Sequence, residues 1–315
     1  GSRCSYKSVE ASYGGNWGKL CTPTREGYSF VNWTKDTNVI TKDTICYENI
    51  EVLANWSINS YTLTYDDNGG KNCAGKSITK EYNKPWGTLC TPTRTGYKFL
   101  GWYLDSTKVT DTSPAKDTIE VKAKWTANKY TITYNANGIG STPSPSTKQI
   151  TFDSTYGELP SMSNTYYTFD GWYDAATGGT KITSSTKVTK SENHTLYAHW
   201  TAKSFTISFD AKGGSTPNPT SKSVTYNTNY GTLATTSRTG YNLNGWYDAA
   251  SGGNKIETTT KMTKGAHTLY AQWSPKPITV TYDANGGSVS PTTTTVLYGN
   301  YYGTLATPTR VGHAF

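Results

Sequence analysis

The sequence predicts a mostly β fold, or small α+β modules with helices of no more than a turn or two, arranged as tandem repeats. Apolar and polar residues alternate in stretches such as the one at Tyr61, where Tyr61, Leu63 and Tyr65 face one way and Thr62 and Thr64 the other. No stretch of about ten residues or more has a helical period. Tyr (25), Gly (30) and Trp (10) are abundant, while charged residues make up only 17%. This composition is typical of thin β modules whose small cores are built from aromatic rings.

One template recurs along the chain at a period of roughly 70 residues. It opens with an alternating strand and a glycine turn, continues through a YGTL motif and an aromatic-Gly-Trp strand, and ends in a strand that closes with Trp. The predicted repeats are residues 1–57, 58–126, 127–201, 202–274 and 275–315. Because a tight turn needs residues that tolerate positive φ, we assign the turn to Asn68, Gly69 and Gly70, and in the last copy to Asn285, Gly286 and Gly287.

Tryptophan recurs at two places in the template. A small domain needs large rings to bury enough apolar area, so we predict that these residues anchor the cores. Exposed rings that stack on sugars are the alternative. The aromatic-Gly-Trp position holds Trp33, Trp102, Trp172 and Trp246, and the closing position holds Trp56, Trp125, Trp200 and Trp273.

The cysteines recur as pairs. Cys4 and Cys21 are separated by the same interval as Cys73 and Cys90, and each pair precedes the same tetrad, Thr-Pro-Thr-Arg. A pair that recurs at fixed spacing predicts one disulfide in each of these repeats, and hence an oxidising compartment. Cys46 has no partner in this scheme and is either a buried thiol or an intermolecular link.

The distribution of charge argues against a nucleic-acid partner. The formal net charge is +8, but the 30 Lys and Arg residues are spread singly along the chain. Such a basic surface favours loose association with a host or cell-wall surface ligand, including anionic glycans. No stretch approaches the roughly 18 apolar residues that a membrane span requires.

No catalytic or cofactor-binding pattern is found. The GxSxG, HExxH, phosphate-loop and dinucleotide motifs are all absent, so we predict neither an enzyme nor a cofactor. His194 and His267 occupy matching positions but have no second metal ligand beside them. Asp66 and Asn68 could begin a calcium loop, yet the later acidic ligands are missing, so a turn is the better interpretation. We therefore expect no metal site.

The YTxTYDxNGG, YGTL, TPTRxGYxFxGWY and closing AxW motifs resemble the Listeria/Bacteroides-type repeat, the B-repeat of internalins. The resemblance covers nearly the whole chain and uses several motifs in a fixed order. It implies β-grasp-like modules, related in fold to ubiquitin, that occur in tandem in secreted and wall-attached bacterial proteins without enzymatic activity. The paired cysteines depart from the family pattern, and we expect them to stiffen the N-terminal end.

These observations lead to three hypotheses about function. The first is an extracellular segment, on the cell surface or secreted, whose linker-free repeats form an elongated rod that acts as stalk and adhesin. The second is a glycan-binding module that uses exposed rings on divergent loops. The third is a head-to-tail fibre, in which the first repeat, without its opening strand, and the last, without its closing Trp, obtain strands from neighbouring molecules. Truncation explains these incomplete repeats more simply.

Overall fold

The computed structural model describes residues 4–5 and 7–315 of the chain. This part of the chain is all β, and it contains no helix that could cross a membrane. The prediction of a mostly β fold is therefore confirmed. The helices of a turn or two that the sequence allows are not formed in the described residues, and the YGTL motifs are irregular. Their second position is a glycine at positive φ, 78° at Gly87 and 66° at Gly231, a conformation that a right-handed helix excludes.

The strands follow one another closely along the chain. In chain order they are β1 (Tyr28–Lys35), β2 (Asn38–Ile40), β3 (Leu53–Ile58), β4 (Ser60–Asp66), β5 (Ser77–Glu81), β6 (Tyr97–Leu104), β7 (Thr107–Val109), β8 (Ile119–Ala127), β9 (Lys129–Asn135), β10 (Thr147–Thr151), β11 (Tyr167–Tyr173), β12 (Lys181–Ile182), β13 (His194–Ala202), β14 (Ser204–Asp210), β15 (Ser221–Thr225), β16 (Tyr241–Tyr247), β17 (Lys255–Ile256), β18 (His267–Pro275), β19 (Pro277–Thr281) and β20 (Thr293–Leu297). We call β4–β8 the second repeat, β9–β13 the third and β14–β18 the fourth.

Each of these three repeats forms a five-stranded sheet. The strand orders are β5-β4-β8-β6-β7, β10-β9-β13-β11-β12 and β15-β14-β18-β16-β17. Strands β4 and β8 run parallel, as do β14 and β18, whereas the other pairs with an assigned register are antiparallel. This is the mixed sheet of a β-grasp-like module. An irregular segment replaces the helix that would cross such a sheet. The first repeat contributes the sheet β2-β1-β3, and the last contributes the hairpin β19-β20.

The chain divides into two compact units. The first consists of the described residues up to 133 together with 147–158 and 184–194, and the second consists of residues 134–146, 159–183 and 195–315. In the first unit, the core of the second repeat is built around Leu63, Trp86 and Trp102. In the second unit, the core of the fourth repeat is built around Ile207 and Trp246, with further apolar residues beside them.

A β-bulge in the aromatic-Gly-Trp strands of the second and third repeats turns two aromatic rings toward one core. Side chains alternate along a strand, so Phe99 and Trp102, an odd number of positions apart, would otherwise face opposite ways. The register with β8 shifts between Phe99 and Gly101, and Gly101 adopts a φ of 138°. The two rings then lie 5.4 Å apart between centroids. The same shift occurs between Phe169 and Gly171 and between Leu243 and Gly245.

Candidate functional site

Both cysteine pairs are joined by disulfides in the structure. The Cα atoms lie 5.9 Å apart in Cys4–Cys21 and 5.8 Å apart in Cys73–Cys90. Cys73 is fully buried and lies between β4 and β5, whereas Cys90 lies between β5 and β6. The bond therefore fastens the turn region to the segment that follows the YGTL position. Cys46 is a buried free thiol, which leaves its intermolecular role without support.

The Trp of the aromatic-Gly-Trp strand is deeply buried in three repeats and bonds a loop carbonyl. Trp102, Trp172 and Trp246 are each 2% exposed, which leaves no ring face for a sugar. Trp33 makes the same type of bond but is only half-buried. The indole N–H groups donate to carbonyl oxygens as follows: Trp33 to Cys21 (2.9 Å), Trp102 to Cys90 (2.7 Å), Trp172 to Pro160 (2.7 Å) and Trp246 to Ala234 (2.8 Å).

The closing Trp residues are half-buried and hold the glycine turn. Trp125 Nε1 donates to the carbonyl of Asp67 (3.0 Å), and its ring lies against Gly70, where an added Cβ would come within 2.5 Å of the ring. Gly70 is therefore required by this contact. Trp56 instead packs against Phe30, with ring centroids 5.7 Å apart. The other bonds of this type are Trp200 to Ala136 O (3.0 Å) and Trp273 to Ala211 O (2.8 Å).

The predicted turn residues lie at the start of a longer connection rather than in a two-residue hairpin. Residues 67–76 separate β4 from β5. Asn68 has a φ of 46° and Gly69 a φ of 82°, whereas Gly70 does not have positive φ. The last copy repeats this pattern, with Asn285 at 44°, Gly286 at 84° and Gly287 outside the positive range.

Asp66 is part of this turn. Its Oδ1 accepts the N–H of Asn68 at 2.8 Å, and its Oδ2 pairs with Lys122 Nζ at 3.0 Å. The N–H of Asn68, followed by Lys122, lowers the pKa of Asp66 from its ordinary value. Among the described residues, no three His, Cys, Asp or Glu side chains are grouped to hold a metal ion.

The two matching histidines each bond a buried tyrosine. Tyr156 Oη lies 2.7 Å from His194 Nε2, and Tyr230 Oη lies 2.7 Å from His267 Nε2. Nδ1 faces a backbone carbonyl in both residues, at 2.9 Å in His194 and 2.6 Å in His267. Because a carbonyl can only accept, we assign the proton of the neutral ring to Nδ1, so that the tyrosine hydroxyl donates to Nε2. The histidines thus serve the internal hydrogen-bond network.

A set of aromatic residues with no predicted role joins successive repeats. Each follows the second strand of its repeat directly and stands four positions before the aromatic residue of the YGTL motif, so its recurrence could have been detected. We call them the boundary aromatics: Tyr82, Phe152, Tyr226 and Tyr298. At three of the four boundaries the ring covers the glycine of the RxGY motif in the preceding repeat, so closely that a Cβ there would overlap it: Tyr82 on Gly27, Phe152 on Gly96 and Tyr298 on Gly240.

The RxGY motif also builds an aromatic corner at these boundaries. Arg94 stacks on Tyr97, with Cζ 3.9 Å from the ring centroid, and Phe152 meets the same tyrosine edge-on at 5.6 Å. The corresponding stacks are Arg25 on Tyr28 at 3.8 Å and Arg238 on Tyr241 at 4.0 Å. Across the boundary between the third and fourth repeats, Tyr166 replaces the glycine and stacks face to face on Tyr226 at 4.3 Å.

A relay of backbone hydrogen bonds accompanies each boundary aromatic. Asn59, between β3 and β4, donates its N–H to Gly27 O (3.0 Å) and accepts the N–H of Tyr82 (2.8 Å). The connecting residue is thus bonded to both repeats. The same relay runs through Asn128 (Gly96 O, 2.9 Å; Phe152 N, 2.9 Å), Lys203 (Tyr166 O, 2.9 Å; Tyr226 N, 2.9 Å) and Lys276 (Gly240 O, 2.8 Å; Tyr298 N, 2.9 Å).

Comparison with known proteins agrees with this repeat organisation. The Listeria-Bacteroides repeat domain matches five segments, residues 1–55, 61–126, 130–199, 205–272 and 279–315. The chain is 32% identical over 291 residues to a protein of Evansella cellulosilytica described as "Putative membrane protein", covering 87% of this chain and 42% of the relative. It is 41% identical over 132 residues to Internalin H of Listeria monocytogenes serovar 1/2a, covering 39% of this chain and 23% of the relative. The chain thus spans less than half the length of these relatives.

Proposed function

Because the chain belongs to the Listeria-Bacteroides repeat family, we propose that it is a non-catalytic spacer in a longer bacterial cell-surface protein. Its repeats hold an adhesive segment of that protein at a distance from the cell, as a stalk does. The observation that carries this proposal is the packed boundary between successive repeats. A flexible linker would leave the neighbouring modules free to reorient.

The boundary contacts restrict motion between repeats in two ways. Aromatic rings of the following repeat cover the backbone of the preceding one, at Gly27, Gly96 and Gly240. The connecting residue has its N–H and its carbonyl both bonded, so it cannot swivel without breaking a hydrogen bond. These features favour a stiff connection between neighbouring repeats.

The disulfides support an extracellular location. Disulfides persist in oxidising compartments and are rare in the cytosol. The two pairs, Cys4–Cys21 and Cys73–Cys90, lie in the first two repeats. We therefore place the segment on the outer surface of the cell or in a secreted protein, with the host or cell-wall ligand bound by the protein to which it belongs.

Distances between two labels on adjacent repeats test the spacer function. Genetically encoded spin labels at the exposed positions Lys98 in the second repeat and Thr189 in the third leave the cysteines untouched. We expect a narrow distance distribution by pulsed electron paramagnetic resonance for the full chain, and a broad one after Phe152→Ala. A broad distribution in the unmodified chain would contradict the proposal.

A matched control separates loss of the boundary from general loosening of the third repeat. Tyr173→Ala removes a ring of the same repeat that stacks on His199 at 3.9 Å. We expect this variant to keep the narrow distribution. Circular dichroism of both variants should show an unchanged β content, since neither ring belongs to the fully buried core.

A further inference from the structure

A groove lies across the boundary between the second and third repeats. It has a volume of about 320 Å³, and both repeats line it. The second repeat contributes Lys71, Thr93, Arg94 and Tyr97, and the third contributes Phe152 and Asp153. Its size is at the lower end of the range of small-ligand sites.

The charge of the groove is mostly positive. Lys71 is exposed, and its amino group has no ion-pair or hydrogen-bond partner among the described residues. Arg94 uses its Nη1 group to bond the carbonyl of Asn68 at 3.1 Å, while a guanidinium carries five N–H groups in all. An anion in the groove would therefore meet two cationic side chains with donors to spare.

The carboxylate in the groove is already engaged by the protein. Lys187 pairs with Asp153 Oδ1, and the hydroxyl of Tyr97 donates to Oδ2 at 2.9 Å. These contacts, Lys187 first and Tyr97 second, lower the pKa of Asp153. Because its negative charge is compensated by Lys187, Asp153 opposes an incoming anion only weakly.

The aromatic corner supplies an apolar surface beside these cations. Tyr97 and Phe152 meet edge-on, with an interplanar angle of 80°. Both rings are only half-buried, so part of their apolar surface remains for the C–H groups of a sugar ring. The hydroxyl groups of Thr93 and Thr95 add hydrogen-bonding capacity on the same wall.

We propose that this groove binds an anionic sugar unit, with the ring on Tyr97 and Phe152 and the acidic group between Lys71 and Arg94. This binding site goes beyond the spacer function and does not depend on it. Two of the other boundaries lack one of these two cations. At the boundary between the fourth and the last repeat, which Tyr298 closes, Ser215 occupies the position of Lys71. At the boundary between the third and fourth repeats, which Tyr226 closes, Asn164 occupies the position of Arg94.

Titration of the full chain with defined oligosaccharides tests the proposal. The probes are a trigalacturonate, which carries carboxylates, a glycerol-phosphate oligomer, which carries phosphates, and neutral maltotriose. We expect one or both anionic probes to bind with a dissociation constant near the millimolar range and maltotriose to bind at least about tenfold more weakly. The two anionic probes distinguish a uronic acid from a phosphate-bearing polymer as the ligand.

Variants locate the binding in the groove. Lys71→Ser and Arg94→Asn introduce the residues found at other boundaries, and each should weaken anionic binding about tenfold or more. The controls Arg238→Asn, which removes the matching arginine of another boundary, and Lys116→Ala, which lowers the net charge equally, should change it by less than about twofold. Amide exchange of each variant verifies folding. Equal weakening by Arg94→Asn and Arg238→Asn, or no binding of either anionic probe at about 10 mM, would overturn the proposal.

Discussion

The second and fourth repeats hold the same loop in place by different chemistry. In both, the segment around the YGTL motif has no helix and presents a carbonyl oxygen to the buried Trp, from Cys90 to Trp102 and from Ala234 to Trp246. In the second repeat the disulfide from Cys73 fixes this segment covalently. The fourth repeat has no disulfide and must hold the segment by other contacts.

A lysine performs this task in the fourth repeat. Lys222, on β15, donates its amino group to Tyr230 O at 2.5 Å and to Thr232 O at 2.7 Å. Lys148 does the same in the third repeat, with bonds to Tyr156 O and Glu158 O. The second repeat has Ile78 on the corresponding strand. The irregular segment whose carbonyl bonds the buried Trp needs a further restraint. A disulfide provides it in the second repeat, and a lysine side chain, which we call the lysine clamp, provides it in the third and fourth.

Loss of the buried Trp of the aromatic-Gly-Trp strand should be the most damaging change. Its consequences should differ between the second repeat, which has the disulfide, and the fourth repeat, which has the lysine contact. Trp102→Ala and Trp246→Ala each remove a ring that is 2% exposed, which typically costs about 3–5 kcal/mol. Trp172→Ala in the third repeat should behave as Trp246→Ala does. In hydrogen exchange, residues 230–234 should lose protection together with the core of the fourth repeat, whereas residues 86–90 should keep part of theirs because the disulfide remains. Equal loss in both segments would contradict this role of the disulfide.

Removal of the disulfide should destabilise only the second repeat. Cys73→Ala with Cys90→Ala opens a covalent loop of 17 residues, which costs about 3 kcal/mol on the chain-entropy account. In the fourth repeat Ala234 occupies the position of Cys90, so an alanine already packs next to the buried Trp246 there. Local hydrogen exchange of the fourth repeat, measured in the same sample, is the control. A loss of protection there would show that the repeats do not unfold locally.

Loss of the lysine clamp should have a smaller effect, confined to the fourth repeat. Lys222→Met keeps the length of the side chain but removes two charge-assisted hydrogen bonds, at a cost of about 1–3 kcal/mol. Exchange of residues 230–233 reports this cost directly. Lys261→Met, an exposed lysine of the same repeat, is the control and should have no measurable effect. If the two variants behave alike, Lys222 is a surface lysine and not a clamp.

The sequence predicts the strands well because their signal is local. The alternation of Tyr61, Leu63 and Tyr65 with threonines follows directly from a sheet with one wet face, and these residues form β4. The bulge at Gly101 was not predicted, since strict alternation would place Phe99 and Trp102 on opposite faces. Only the tertiary need to bury both rings explains it.

The contacts that hold the YGTL segment within a repeat and those that join repeats were less predictable, because each of their residues has a common local interpretation. A lysine on an edge strand, such as Lys222, usually points into solvent. The glycine of an RxG sequence, such as Gly96, usually belongs to a turn. Gly96 does have a positive φ of 77°, but the ring of Phe152 also occupies the space of its missing side chain. Spacing alone could have revealed Phe152, whereas the partner of Lys222 required the structure.

Acidification should have the smallest effect, and should act on the second repeat through Asp66. In this repeat Asp66 pairs with Lys122 of the adjacent parallel strand, whereas Tyr270 is the neighbour of the equivalent Asp210 in the fourth. Since the pKa of Asp66 is lowered in the folded chain, its stabilisation is present above the ordinary carboxyl pKa and is lost as the pH falls through the lowered value, below about pH 4. The effect is small because both side chains are substantially exposed and screened.

Asp66→Asn removes the ionisable group and keeps the turn. The third repeat shows that asparagine suffices there, because Asn135 Oδ1 accepts the N–H of Asn137 at 2.8 Å, as Asp66 does from Asn68. Other acidic residues also lose their charge below about pH 4, so the quantity to measure is the difference in melting temperature between the variant and the unmodified chain. At pH 6 the unmodified chain should melt at the higher temperature, and the difference should shrink toward zero near pH 3. The difference should also shrink at high salt, because an exposed ion pair is screened. A difference that is independent of both pH and salt would mean that Asp66 acts only through its hydrogen bond to Asn68.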